Sequence, residues 1–293
     1  MYSGLSLRLV LLTYPKGEIK VKKIVATVLL FTFSSSMFAA DVITVKGSDT
    51  MVILAQRWAE MYMKMNPNVT IQVTGGGSGT GISALINGTT DICNASRPMK
   101  PTEKQKLKHR FSSLGVEIKT AKDGIAIYVN EKNPLKELTV QQIKDIYTGK
   151  ITNWKEVGGI DSRIILYSRE NNSGTYVYFK ENVLDDEDYS PSCQNMPGTA
   201  ALVNAISKDP NGVGYGGAAY AKGIREVAIK ADANSPALLP IAENVKSGQY
   251  PITRFLFMYV KSKPSGAMKE YIDWILSEEG QNIVTKVGYF PLR

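Results

Sequence analysis

Three short turns in the chain combine glycine with Ser or Thr hydroxyls: Gly75–Gly81 (GGGSGTG), Gly47–Thr50 (GSDT) and Asn171–Thr175 (NNSGT). Each follows a strand-like run and precedes a helical pattern. Such a turn aims backbone N–H groups and hydroxyls at one point, and the helix N-terminus adds partial positive charge there. A tetrahedral oxyanion needs donors on every oxygen, because desolvating it is costly otherwise. Ser48, Asp49 and Thr50 stand in the first turn, Ser78 and Thr80 in the second, and Ser173, Gly174 and Thr175 in the third. Arg169 precedes Ser173 by four residues, and Ser96 and Arg97 close the triplet Ala95–Arg97. A guanidinium can grip two oxygens of one anion. Taken singly, these features are ordinary helix caps, a flexible glycine connection and surface arginines. Their recurrence is what points to an anion held from several sides.

The elements that must position these turns read as alternating strands and helices, which predicts an α/β architecture. Met51, Ala55, Trp58, Tyr62 and Met65 recur at spacings of four and three, predicting a helix over Thr50–Met65 that Asn66–Pro67 stops. Val69–Thr74 alternates as a strand into the glycine loop. A helix is expected over about Thr139–Thr148, with Thr139 as N-cap and Gly149 as its stop. Gly124–Asn130 and Arg254–Val260 read as two strands crossing between two lobes. The first lobe would be discontinuous, 41–129 plus 253–293, and the second would span 130–252. A helical pattern around Met268–Leu276 and another over Glu278–Val287 complete the chain.

At 293 residues the chain is long enough for two lobes with separate cores. Its formal charge of +8 includes five basic residues and one acidic residue within 1–40, leaving 30 basic against 26 acidic residues beyond. That mild, scattered excess gives no support to nucleic-acid binding. Residues 1–40 read as an export signal. Lys20, Lys22 and Lys23 precede the apolar stretch Ile24–Phe33, and small residues Ala39–Ala40 mark the cleavage region. The apolar stretch is too short to span a bilayer. Val21 could itself begin this signal. Cys93 and Cys193 remain in the exported chain, and the reading leaves them unpaired, since spacing alone does not establish disulfide geometry.

Catalytic and metal readings find little footing. No GxxxxGK[ST] occurs, and the single His109 lies in a basic stretch that reads as a solvated helix face. Neither a His/Cys cluster nor an EF-hand pattern surrounds the acidic run Asp185–Asp188. No metal and no cofactor are expected.

Together with DICNASR (91–97), YTGKITNWKEVGG (147–159), GVGYGGAAYA (212–221) and SGQYPITR (247–254), the three turns resemble the periplasmic phosphate-binding proteins of bacterial phosphate ABC importers. The resemblance covers essentially the whole exported chain. It implies a two-lobed class II periplasmic-binding-protein fold, each lobe a β-sheet flanked by helices, with two crossing strands as hinge. It further implies a monomeric periplasmic receptor, not an enzyme, that closes on inorganic phosphate and delivers it to a membrane permease. Carried onto this chain, the ligand contacts fall on Ser48, Asp49, Thr50, Ser78, Thr80, Ser96, Arg97, Arg169, Ser173, Gly174 and Thr175. Some family members place an Asp after Ala-Ser, where it accepts the ligand's proton. Arg97 stands there in this chain, so Asp49 becomes the candidate acceptor. A receptor for sulfate, molybdate or tungstate, and a signalling or adhesive phosphate binder, are the alternatives on the same fold.

Overall fold

The computed structural model describes residues 41–292, so the export signal read from 1–40 lies outside the described residues. The first part of the chain forms β1 (Asp41–Gly47), a 3-10 turn (Asp49–Met51), α1 (Val52–Met65), β2 (Val69–Thr74), α2 (Ser78–Asn87), β3 (Ile92–Ala95), α3 (Pro101–Phe111) and β4 (Val116–Val129). The middle part contains β5 (Glu137–Thr139), α4 (Val140–Tyr147), β6 (Ile165–Arg169), α5 (Gly174–Asn182), β7 (Gln194–Met196), α6 (Gly198–Lys208), β8 (Gly212–Gly217), β9 (Arg225–Lys230) and α7 (Ala242–Lys246). β10 (Thr253–Val260), α8 (Gly266–Leu276) and α9 (Glu278–Val287) complete it.

Local chemistry explains several of these bounds. Leu54, Ala55, Trp58 and Tyr62 of α1 are fully or nearly fully buried, which makes one apolar face. Met65, expected on that face, is 49% exposed at the last residue of the helix, so the buried stripe ends at Tyr62. Thr139 caps α4 reciprocally with Gln142, accepting from its amide at 3.0 Å while the Gln142 side chain accepts from the Thr139 amide at 2.9 Å. Gly149 follows α4 at φ +82°, a left-handed position that favours glycine. His109 lies exposed on α3. Cys93 and Cys193 carry free thiols, and burial pushes both thiol pKa values up.

The strands run in the order β2-β1-β3-β10-β4-β8-β6-β7, with β9 pairing β4 and β5. β1 is parallel to β2 and β3, whereas β10 is antiparallel to β3 and β4. The fourteen-residue β4 ties the sheet together. Its first part, Val116–Gly124, pairs with β10, and Ile125–Val129 pairs with β8 and β9. Two cores flank it. Ala126 and Tyr128 face one core with Trp58, Leu256, Met258 and Tyr271. Ile125, Ile127 and Val129 face another with Tyr147, Trp154, Phe179 and Tyr215. The period-two alternation of a strand thus serves both cores from a single segment. β4 thus runs without a break from the β10 ladder into the β8 ladder, as a crossing strand should.

Candidate anion site

The glycine-bearing turns, at the carboxyl ends of β1, β2 and β6, fold against one another and against Ser96 at the end of β3. Thr50, at the head of α1, and Thr175, in the first turn of α5, are both 1% exposed and lie 125 residues apart in the chain. Their hydroxyl oxygens are 2.9 Å apart. Ser78 begins α2 and Ser96 follows β3; both are fully buried. The Ser78 hydroxyl accepts the Ser96 amide at 3.0 Å, and the two hydroxyl oxygens stand 3.3 Å apart. Ser173 caps α5, accepting from the amides of Thr175 and Tyr176 at 3.2 and 3.3 Å. A Cβ placed on Gly174 would come within 2.3 Å of the Ser78 hydroxyl and 2.7 Å of the Ser96 hydroxyl, so only glycine allows α5 to approach so closely. Residues Thr50, Ser78 and Ser96 thus form one wall of a cluster, and Ser173–Thr175 forms the opposite wall.

Charge enters from two sides. Arg169, at the end of β6, is 1% exposed and donates to the Asp49 carboxylate at 2.8 Å and to the Thr199 hydroxyl at 2.7 Å. Its Nε is buried with no hydrogen-bond partner among the described residues. Burial pushes the Arg169 pKa below the ordinary arginine value, against the pull of Asp49. The Asp49 carboxylate also accepts the Gly76 amide at 2.7 Å, tying the first turn to the glycine run. Tyr220 donates to the Asp49 carbonyl at 2.7 Å, and the Tyr289 hydroxyl donates to the Thr50 carbonyl. The loop before α5 straps the glycine run directly. The Asn172 carbonyl accepts the Gly79 amide at 2.9 Å, and its side-chain amide donates to the Gly76 carbonyl and to the Thr80 hydroxyl at 3.2 and 3.3 Å. Gly77 takes φ +88°, and a Cβ there would lie 2.7 Å from that same carbonyl.

The structure therefore gathers Asp49, Thr50, Ser78, Thr80, Ser96, Arg169, Ser173, Gly174 and Thr175 into one cluster. Ser48 is buried at its edge, where its amide donates to the Asn94 carbonyl at 2.8 Å. Arg97 departs from the expectation. Its guanidinium is bidentate on Glu103 at 2.7 and 2.8 Å and also donates to the Pro98 carbonyl, so its hydrogen bonds go to the start of α3 and none reaches the cluster. Adjacency to Ser96 in sequence misleads here, because a carboxylate six residues on captures the side chain.

Sequence reasoning missed Arg254 and Asp123. Arg254 on β10 is 4% exposed, donates to the Thr175 hydroxyl at 3.0 Å and the Ser96 carbonyl at 3.0 Å, and pairs with Asp123 at 2.8 Å. These two residues are direct cross-strand partners in the β4–β10 ladder. Burial pushes the Asp123 carboxyl up, and Arg254 opposes that shift. Thr199, at the start of α6, was likewise missed. The motif SGQYPITR contains Arg254, but nothing in its spacing places it beside Thr175, 79 residues away.

A family model described as the PBP superfamily domain matches residues 34–279. The phosphate-binding protein PstS of Pseudomonas aeruginosa is 34% identical over 263 residues, which cover 84% of this chain and 81% of that protein. PstS of Bacillus subtilis is 33% identical, with 87% of this chain and 82% of that protein covered. Among solved structures, a candidate phosphate ABC transporter substrate-binding protein from Clostridium perfringens with bound phosphate superposes with a TM-score of 0.79 at 34% identity, covering 86% of this chain and 100% of that one. An ABC-type phosphate transport receptor from Vibrio cholerae gives 0.68 at 29% identity, covering 85% and 99%. The α/β sheet and its flanking helices are thus those of a periplasmic binding protein. By model, sequence and structure alike, the chain belongs to the PBP superfamily and, within it, to the family of the phosphate-binding proteins PstS.

Proposed function

We propose that the chain binds inorganic phosphate between the two walls and delivers it to the membrane permease of an ABC importer. The observation that carries this reading is the convergence of Thr50, Ser78 and Thr175, each in the first turn of its helix or just ahead of it, with the buried Arg169 guanidinium held on Asp49, the residue before Thr50. Buried donors without protein partners, such as Arg169 Nε, are costly unless a ligand satisfies them. The eleven residues named from the sequence, less Arg97, form the proposed contact set. Among them Asp49 is the proposed acceptor for the proton that phosphate keeps near neutral pH and sulfate lacks. A carboxylate offers about four acceptor positions, so the bonds from Gly76 and Arg169 leave capacity.

The walls belong to two lobes, 41–129 plus 253–293 and 130–252, that open and close about β4 and β10. Contacts made from both sides favour the closed form, so phosphate shifts the equilibrium toward it. Periplasmic residence after cleavage near Ala39 or Ala40, a monomeric state, and a binding rather than catalytic role accompany this reading. Among the described residues no helix is long and apolar enough to cross a membrane, which suits a chain that meets its permease from outside the bilayer.

Identifying the anion that copurifies with the exported chain tests the proposal. One phosphate per chain, retained against excess sulfate in the wild type and exchanged for sulfate in Asp49→Asn, is the expected outcome. Preferential retention of sulfate, molybdate or tungstate by the wild type would overturn it.

A further inference from the structure

Arg254 is not among the residues that the motifs assign to the anion, yet it touches both walls. It reaches the Ser96 carbonyl on one side and the Thr175 hydroxyl on the other, each at 3.0 Å. It does so from the place where the strands cross. The β4–β10 ladder ends at the pair Gly124–Thr253, one residue beyond Asp123–Arg254, and β4 continues from Ile125 into pairing with β8. Asp123, fully buried, accepts from both Nε and Nη2 of Arg254 through a single oxygen, at 3.0 and 2.8 Å. The ring of Tyr178 on α5 lies 5.5 Å from the guanidinium carbon and completes its enclosure.

The chemistry of this contact has a direction. A guanidinium has five donors and no acceptor, so the Thr175 oxygen must accept from Arg254. The single Thr175 proton then points away from Arg254, toward Thr50 or the space between the walls. A donor that itself accepts a charge-assisted bond is also polarised, which strengthens its own donation. On the opposite wall the Ser78 oxygen accepts the Ser96 amide, which leaves its proton to the Ser96 hydroxyl 3.3 Å away or to the space between the walls.

We propose that Arg254, anchored by Asp123, is a positioning residue for anion binding: it commits the Thr175 hydroxyl to donate into the site and ties that donor to the strands that cross between the walls. A site with one hydroxyl fixed as a donor favours the more highly charged form of phosphate. Affinity therefore rises as pH passes the second ionisation of phosphate, and more steeply with Arg254 than without it. The inference rests on phosphate being the ligand.

The test is a calorimetric titration of inorganic phosphate into the exported chain, carried out below and above that ionisation. The proteins are wild type, Thr175→Val, the neutralised pair Asp123→Asn/Arg254→Met, and the triple variant. The neutralised pair avoids leaving one buried charge unpaired. The pair and Thr175→Val are each expected to weaken binding about 10- to 100-fold, the range of a hydrogen bond to a charged group. The triple variant is expected to stay within about twofold of Thr175→Val, because Arg254 acts through that hydroxyl. The pH dependence flattens in the pair. Wild-type affinity in the pair, or losses that multiply in the triple variant, overturns the inference while leaving phosphate binding intact. No binding by the wild type overturns the reading beneath it, and the inference with it. If the pair does not fold, Arg254→Lys gives a second readout. One ammonium cannot reproduce the fork to Asp123, Thr175 and Ser96, so affinity falls at least about tenfold in a protein that still unfolds cooperatively. Unchanged affinity in Arg254→Lys contradicts the role.

Discussion

The wall built around α1, α2 and β3 offers Thr50, Ser78 and Ser96, neutral hydroxyls that are at most 1% exposed, and the Asp49 carboxylate stands beside Thr50 in the chain. The wall built from β6 and α5 offers Thr175 and the cationic Arg169, which donates to Thr199 and across to Asp49. With Arg254 and Asp123 at the seam, the four formal charges cancel, so the cluster is neutral before any anion enters. Such a site holds an anion by donors of fixed direction and by helix N-termini, with little help from net charge. The division between walls also separates tasks. The neutral wall supplies number and direction of hydrogen bonds, and the charged wall supplies the interaction that depends most on dehydration.

The largest break in this comparison comes from Arg169→Ala. Truncating one partner of a buried charge pair costs about 2–5 kcal/mol, so phosphate affinity should fall by about 30- to 4,000-fold in a calorimetric titration. Loss of the Asp49 partner should also lower the unfolding temperature. On the neutral wall, Ser78→Ala removes one hydroxyl and should weaken binding by about 10- to 100-fold without an ionic-strength signature. A loss there as deep as that of Arg169→Ala would erase the distinction between the walls.

Gly174→Ala probes the meeting of the walls. The added methyl would press on the Ser78 and Ser96 hydroxyls across the seam, while alanine suits the first turn of α5. Affinity should fall about tenfold if the walls meet in a tenth of the molecules, with no loss of thermal stability. A fall in the unfolding temperature with intact affinity would place the contact outside the binding step.

The smallest effect belongs to Lys100–Glu181, a pair 3.5 Å apart whose side chains are nearly half exposed. Lys100→Ala should change affinity by no more than a few-fold, because exposed pairs contribute about 0–1 kcal/mol. Compared with Asp49–Arg169, where the side chains are 19% and 2% exposed, it shows how burial separates an ion pair that matters from one that does not.

Much of this arrangement is legible in sequence because its signals are local. The α1 stripe, the Thr139 cap and the hydroxyl-bearing turns each act within a few residues of chain, and the structure keeps all of them. Arg254 and Asp123 are a different case. Their partnership depends on pairing β10 against β4 across 131 residues, and their contact with Thr175 depends on how α5 packs beside that ladder. No spacing rule reaches that far. Arg97 fails for the opposite reason: its local competitor Glu103 stands six residues away in the first turn of α3, where it also accepts the Lys100 amide. A search for nearby carboxylates around each candidate arginine would have set it apart.

The most direct measurement is a titration of inorganic phosphate into the wild-type chain beside Arg169→Ala, both in excess sulfate. The account predicts one phosphate per wild-type chain at micromolar concentration or below, and binding at least about 30-fold weaker in the variant. Absence of wild-type binding at micromolar phosphate, or equal affinity in the two proteins, would contradict it.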